Sequence, residues 1–181
     1  MKHHLLLFLG FFSLLLCPVL QAQDNIHWMS FEEAVEASER IPKKILVDMY
    51  TDWCGWCKKM NSDTYHHPEI AQYINENFYP VKFNAESKED VVFQGDVFSF
   101  VKQGNRGYHE LAVKLSERLG RLSFPTVVFI DENLNIIQPL AGFLKAEQFK
   151  TIVSYIAEDH YLRTPWKKYE DNFEGLASPR N

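Results

Sequence analysis

The sequence predicts an α/β fold in which a mixed central sheet is flanked by helices. Three observations lead there. Ile45-Leu46-Val47 with Met49-Tyr50 is a nearly continuous apolar run, as expected of a central strand covered on both faces. Stretches of 3.6-residue periodicity alternate with such runs through the first half of the chain. Near the end the pattern changes to two adjacent strands followed by a helix, and two strands joined by a short turn must be antiparallel. Parallel and antiparallel neighbours in one sheet make it mixed.

The elements can be justified in order. Ser30-Phe31-Glu32-Glu33 has the capping-box pattern, and Phe31, Ala34, Val35 and Ala37 continue an apolar helical face to about Arg40, before Pro42 ends it. The strand Lys44 to Tyr50 follows, interrupted by Asp48, whose apolar neighbours on both sides favour burial. Lys58 to Asp63 reads as helix. Pro68 at a first helical position opens another, with Ile70, Tyr73, Ile74 and Phe78 on one face, and Tyr79 to Asn84 is the next strand. An inserted stretch, about 85–121, comes next. Within it Val91 to Val101 reads as two short strands about a Gly95-Asp96 turn, and helix resumes near Tyr108 and runs to Leu119. Thr126 to Ile130 pairs with Asn135 to Leu140 across Glu132-Asn133-Leu134, and Lys145 to Asp159 returns to helical spacing. In the extension at about 161–181, Thr164 is a candidate cap, Pro165 a first helical residue, and Trp166, Tyr169 and Phe173 a stripe that suits packing on the domain. The hairpin of the insertion carries Phe93, Val97, Phe98 and Phe100, more apolar surface than two short strands bury between themselves. They either cover the sheet edge or contact a partner.

With 181 residues and 46% hydrophobic content the chain can bury one full core, so one domain is expected over 23–181. The first 22 residues read separately. Lys2, His3 and His4 precede the apolar run Leu5 to Leu16, Pro18 breaks it, and Ala22 supplies a small residue for cleavage: a signal peptide, too short to span a bilayer as a permanent helix. Export is therefore expected, most simply to a periplasm. Lipid anchoring through Cys17 is disfavoured by bulky Leu15 and Leu16 and by Pro18. Without Lys2 the chain has 18 Lys and Arg against 24 Asp and Glu, and no basic cluster beyond pairs such as Lys167-Lys168, which argues against a nucleic-acid partner.

Removal of the leader takes Cys17 away and leaves only Cys54 and Cys57. Two cysteines three positions apart staple almost nothing, whereas exported proteins that rely on disulfides for stability close long loops. Placed just after an apolar strand and opening a helix, the first sulfur meets unpaired N–H groups and the positive end of the helix dipole, which favour its thiolate. Cys54 is thus the expected exposed nucleophile, and Cys57, one turn further in, the resolving thiol that attacks a mixed disulfide. Gly55 and Trp56 between them tune the potential and shape the contact surface. Zinc would need two further ligands, and His66, His67 and His109 fit no compact spacing; His66 and His67 read as surface residues. Haem attachment needs a His where Lys58 stands.

Thr51-Asp52-Trp53-Cys54-Gly55-Trp56-Cys57-Lys58-Lys59-Met60 resembles the active-site segment of the thioredoxin-like superfamily. The likeness is strongest to exported bacterial members related to the C-terminal domain of the transmembrane thiol reductase D of the disulfide-bond system. Phe124-Pro125-Thr126 resembles the second marker of that superfamily. The resemblance covers about Ile26 to His160 and implies a thioredoxin-like fold with a cis proline at Pro125. It further implies that Trp53, Gly55, Trp56, Phe124, Pro125 and Thr126 face substrate. Asp48 is similar to the family's buried aspartate that moves the proton of the resolving thiol, Lys82 to the lysine often beside it, and Gly142 to the glycine after the hairpin. A buried carboxylate with a raised pKa suits that role. The chain departs from the family in Trp56, where Pro or His is usual, and in the length of its insertion. The expected chemistry is thiol–disulfide exchange with protein thiols and disulfides. It needs no cofactor beyond a redox-active Cys54–Cys57 disulfide, acts in a monomer, and is recharged by an upstream partner such as a membrane thiol reductase. The alternative is a non-catalytic thioredoxin-like module that holds exported chains.

Overall fold

The computed structural model describes residues 25–176, so the leader with Cys17 and the last five residues lie outside the described part. Helix α1 (Phe31–Arg40) opens on a complete capping box: the Glu33 N–H donates to Ser30 Oγ (3.2 Å), and the Ser30 N–H donates to the Glu33 carboxylate (2.8 Å). Strand β1 (Lys44–Tyr50) leads into α2 (Gly55–Met60), which continues without a break as a wider π turn over Asn61–Tyr65. Then come α3 (Pro68–Asn77) and β2 (Phe78–Asn84). Four short strands follow, β3 (Val91–Phe93), β4 (Asp96–Phe98), β5 (Phe100–Gln103) and β6 (Arg106–His109), and then α4 (Glu110–Leu115). The chain closes with β7 (Thr126–Ile130), β8 (Ile136–Ala141), α5 (Ala146–Ala157) and the short α6 (Trp166–Glu170).

The main sheet has the order β2-β1-β7-β8, with β1 and β2 parallel and the other two pairs antiparallel. The two central strands are the continuous apolar runs of the sequence, and alternate residues on them feed two cores. Leu46, Val127 and Phe129 point to one face, where Ile70 and Ile74 of α3 and Phe149 and Val153 of α5 close over them. Ile45, Val47, Met49, Val128 and Ile130 point to the other, against Phe31 and Ala34 of α1 and Leu111 and Leu115 of α4. Two helical layers on one sheet are what the alternation of elements demanded.

The insertion differs from its sequence reading. It forms two β-hairpins, where one hairpin and an early helix were expected. In the first, the turn residues are Gln94 and Gly95, with φ of 54° and 86°, so the turn lies one residue earlier than the expected Gly95-Asp96. Positive φ at both turn positions matches the right-handed twist of the flanking strands. In the second hairpin Tyr108 pairs with Val101 as a strand residue, and helix begins only at Glu110. The reason is His109. Its buried Nδ1 accepts the Leu111 N–H (3.1 Å) as a cap while Nε2 meets the Glu89 carbonyl (2.9 Å), so one side chain ends the strand and starts the helix. The β3–β4 hairpin is part of the core. Phe93 is buried edge-on against Phe31 (5.2 Å between ring centres), and the exposed apolar residues of the hairpin are Val92 and Val97. In the tail, Pro165 takes the cap position expected of Thr164, whose carbonyl instead accepts the Tyr155 hydroxyl (2.6 Å). Trp166 and Tyr169 pack on Tyr155, at 5.2 and 5.0 Å.

Candidate active site

The sheet delivers the cysteine motif at the end of β1. After Tyr50 the chain turns once, with the Cys54 N–H donating to the Thr51 carbonyl (3.1 Å), and Cys54 becomes the N-cap of α2. Its Sγ accepts the Cys57 N–H at 3.0 Å, so the first sulfur sits among the free donors of a helix start. Cys54 and Cys57 are joined as a disulfide. In this form both are buried, at 4% and 5% exposure, so the expected contrast between an exposed Cys54 and a covered Cys57 is absent.

What stands exposed is the aromatic rim. Trp53 and Trp56 are 58% and 61% exposed on either side of Cys54. Trp53 donates its indole N–H to Glu86 (3.0 Å), meets Phe124 edge-on (6.0 Å) and lies under the Arg106 guanidinium (5.6 Å). Trp56 leans on Phe143 (5.7 Å), with the Lys59 ammonium over the same ring. A Cβ built on Gly55 would meet no atom within 4 Å, so this position lies open.

The Phe124–Pro125 peptide is cis, as the resemblance implied. The Pro125 carbonyl accepts the Gly142 N–H (2.8 Å), and Gly142 holds φ 99°, a conformation that favours glycine. Of the three residues expected to face substrate here, only Phe124 is partly open. Pro125 and Thr126 are buried, and the Thr126 hydroxyl donates to the Ser123 carbonyl (2.7 Å). That hydroxyl closes the turn before β7, and its side chain is closed to a substrate.

Asp48 lies behind the motif at 1% exposure. The Lys82 ammonium is 2.7 Å from its Oδ2, because the β1–β2 register sets the two residues opposite one another. The contact is a charge contact without the alignment of a hydrogen bond, and both carboxylate oxygens lack an aligned donor. Burial pushes the Asp48 pKa above the usual carboxylate range, against the opposing pull of Lys82 and the neighbouring Tyr65 phenol. The same burial, together with the Asp48 charge, pushes the Tyr65 phenol well above its ordinary value.

Around Lys82 the chain builds a cage that the sequence did not reveal. Its ammonium lies 4.8 Å from the Trp28 ring, 5.2 Å from Tyr65 and 5.5 Å from Tyr50, and donates to Asn61 Oδ1 at 3.3 Å. Asn61 and Tyr65 are the ends of the π turn. A pocket of about 240 Å³ lined by Tyr50, Thr51, Asp52, Cys57, Lys58, Asn61 and Lys82 connects the inner cysteine to this cluster. The histidines weighed as metal ligands are scattered: His66 and His67 are exposed, and His109 is the buried cap of α4.

Residues 31–157 match the family model of the thioredoxin-like domain. The chain belongs to that family. Among curated relatives, thioredoxin-like similarity runs to the thiol:disulfide interchange protein DsbD. The Neisseria meningitidis protein is 27% identical over 112 residues, 61% of this chain and 15% of the relative. That of Pectobacterium atrosepticum is 26% identical over 141 residues, 74% of this chain and 21% of the relative. The chain thus spans about a fifth or less of the length of these proteins. Two solved thioredoxin-like structures show the same fold. The DsbH oxidoreductase has a TM-score of 0.53 at 20% identity, over 74% of this chain and 85% of its own. A Bacteroides thetaiotaomicron protein provisionally assigned as a disulphide-isomerase has 0.52 at 25%, over 80% of this chain and 99% of its own. Among the described residues no helix is long and apolar enough to cross a membrane.

Proposed function

We propose that this protein is an exported thiol–disulfide oxidoreductase that exchanges disulfides with protein substrates through Cys54 and Cys57. The observation that carries the reading is the Cys54–Cys57 disulfide at a helix start, flanked by the cis-proline turn and backed by a buried carboxylate. In the reducing direction the Cys54 thiolate attacks a substrate disulfide, forming one S–S bond while the other substrate sulfur leaves as a thiolate. Cys57 then loses its proton and attacks the Cys54 sulfur. The mixed disulfide breaks, the second substrate sulfur leaves, and two electrons have passed to the substrate as the Cys54–Cys57 bond forms. The oxidising direction runs the same steps in reverse.

The Cys57 N–H that donates to Cys54 Sγ favours the thiolate form of Cys54. Asp48 accepts the Cys57 proton in the resolving step, and Lys82 holds the carboxylate in place for it. The pKa of Asp48 is raised by burial, which brings its proton affinity nearer to working pH than that of a solvated aspartate. Trp53, Trp56 and Phe124 form the substrate-facing rim. The sequence leader supports export to a periplasm, and similarity to DsbD supports a membrane thiol reductase as the upstream redox partner. No further cofactor enters these steps, and one copy of the chain supplies every group.

Turnover of a small disulfide and of a protein disulfide tests the reading. Cys54→Ser should abolish both, and in the reduced protein Cys54 should be alkylated before Cys57 at mildly acidic pH. Absence of turnover by the wild type would return the protein to the class of binding modules, and undiminished turnover by Cys54→Ser would overturn Cys54 as the nucleophile.

A further inference from the structure

The second hairpin of the insertion, β5–β6, supplies no apolar side chain to either hydrophobic core, and is anchored at its end by the buried His109, edge-on against Phe83 (5.2 Å). It nevertheless reaches the active-site rim, where Arg106 at the start of β6 places its guanidinium 5.6 Å from the centre of the Trp53 ring, one residue from Cys54. We propose that Arg106 is a specificity-determining residue that selects substrates carrying a carboxylate beside the exchanging cysteine. The inference rests on the oxidoreductase reading and names the substrate class of the same site.

Three features support it. The first is that Trp53 is held from several sides: its indole N–H donates to Glu86 (3.0 Å), Phe124 meets it edge-on (6.0 Å), and Arg106 covers its ring. A guanidinium held over a fixed ring stays at the rim beside Cys54, and its N–H donors can bind a carboxylate through two hydrogen bonds. The second is that Arg106 enters no ion pair among the described residues, whereas Lys59, over the Phe143 ring beside Trp56, is already paired with Asp63. Its charge is therefore available to a partner. The third is that the hairpin is stiff where it matters. Gly107, next to Arg106, lies directly under the Phe100 ring, and a Cβ there would be 2.1 Å from Phe100 Cζ. Ring and backbone thus lock the two strands together just behind the arginine.

An acidic residue close to a substrate cysteine would meet this guanidinium as its sulfur bonds to Cys54. A neutral small disulfide has no group to offer it. Arg106 works here through substrate orientation and takes no part in the sulfur chemistry.

The test uses the full chain and matched disulfide peptides with Asp, Asn or Lys beside the cysteine, with 2-hydroxyethyl disulfide as a neutral small substrate. Wild type should favour the Asp peptide over the Lys peptide by about tenfold in kcat/KM, about 1.4 kcal/mol. Arg106→Ala should flatten that order, Arg106→Glu should invert it, and all three proteins should reduce 2-hydroxyethyl disulfide equally. The same order should appear in the binding of Ser-substituted peptides, read by titration calorimetry, where no exchange occurs. An Asp preference that persists in Arg106→Ala, or the absence of any order in wild type, overturns the proposal. Failure of every protein to turn over 2-hydroxyethyl disulfide would instead overturn the oxidoreductase reading, leaving the binding order to judge Arg106.

Discussion

Asp48 is an unfavourable residue to bury, and the protein keeps it in the middle of its central strand without an aligned donor for either oxygen. Desolvation outweighs the attraction of Lys82, so the folded state holds the Asp48 proton more tightly than the unfolded chain does. Stability attributable to this group is therefore greatest at low pH, where both states are protonated. It is lost as pH rises from the ordinary carboxylate value through the raised one. Asp48→Asn should make the protein more stable than wild type near neutral pH, with the gain shrinking as pH falls toward the ordinary range. Lys82 loses its partner in this variant but remains a quarter exposed, so water compensates it. Denaturant titrations at several pH values check this, and a gain that grows on acidification would contradict it. The same variant should slow resolution by Cys57 and accumulate mixed disulfides, while the first attack by Cys54 stays near the wild-type rate. A residue whose presence lowers stability and speeds one step is in place for chemistry.

The two hairpins of the insertion have different standing as elements. β3–β4 contributes Val91 and Phe93 to the core shared with α1, while Val92 and Val97 on its other face are exposed. Phe93→Ala should cost about 3–5 kcal/mol, as for other buried phenylalanines, and Val97→Thr less than about 0.5 kcal/mol, measured by equilibrium unfolding. Equal costs would mean that the hairpin does not pack as a two-faced element. β5–β6 is held by close contact between its strands at Gly107. A methyl group there meets both the Phe100 ring and the Val101 carbonyl, and the carbonyl is backbone that cannot rotate away. Gly107→Ala should destabilise by about 1–3 kcal/mol.

At the scale of the molecule, the sheet separates two cores that share no buried residue. Contacts on one face therefore have little means of compensating losses on the other. Ile74→Val beneath α3 and Ile130→Val facing α4 should each cost about 0.5–1.5 kcal/mol. The double variant should equal the sum within about 0.5 kcal/mol. A coupling of 1 kcal/mol or more in the double-mutant cycle would show that the sheet transmits strain between its faces. Both cores hold β1, and β1 carries Asp48 inside and aims Cys54 at the surface, so the site rests on a central strand buried at every residue but the last.

Local chemistry made much of this protein readable from its sequence. A capping box, a prolyl helix start, continuous apolar runs and Cys-x-x-Cys act over a few residues, so α1, β1, α3, β7 and the motif were visible, and Asp48 stood out because its neighbours are apolar. The register that sets Lys82 opposite Asp48 came into view only through resemblance. Other features join residues far apart in the chain and leave no local pattern. Trp28, Tyr50, Asn61 and Tyr65 meet around Lys82 from three separate segments, and Arg106 reaches Trp53 across 53 positions. The second hairpin was hidden for the opposite reason. Tyr108 to Leu119 has helical spacing, but pairing of Tyr108 with Val101 and the two hydrogen bonds of His109 outweigh the weak propensity of a few residues. The sequence by itself determined most of the elements and the pair of sulfurs at the helix start, because those depend on nearest neighbours. Tertiary structure alone decided what surrounds them, because the cage and the rim exist only where distant segments are packed together.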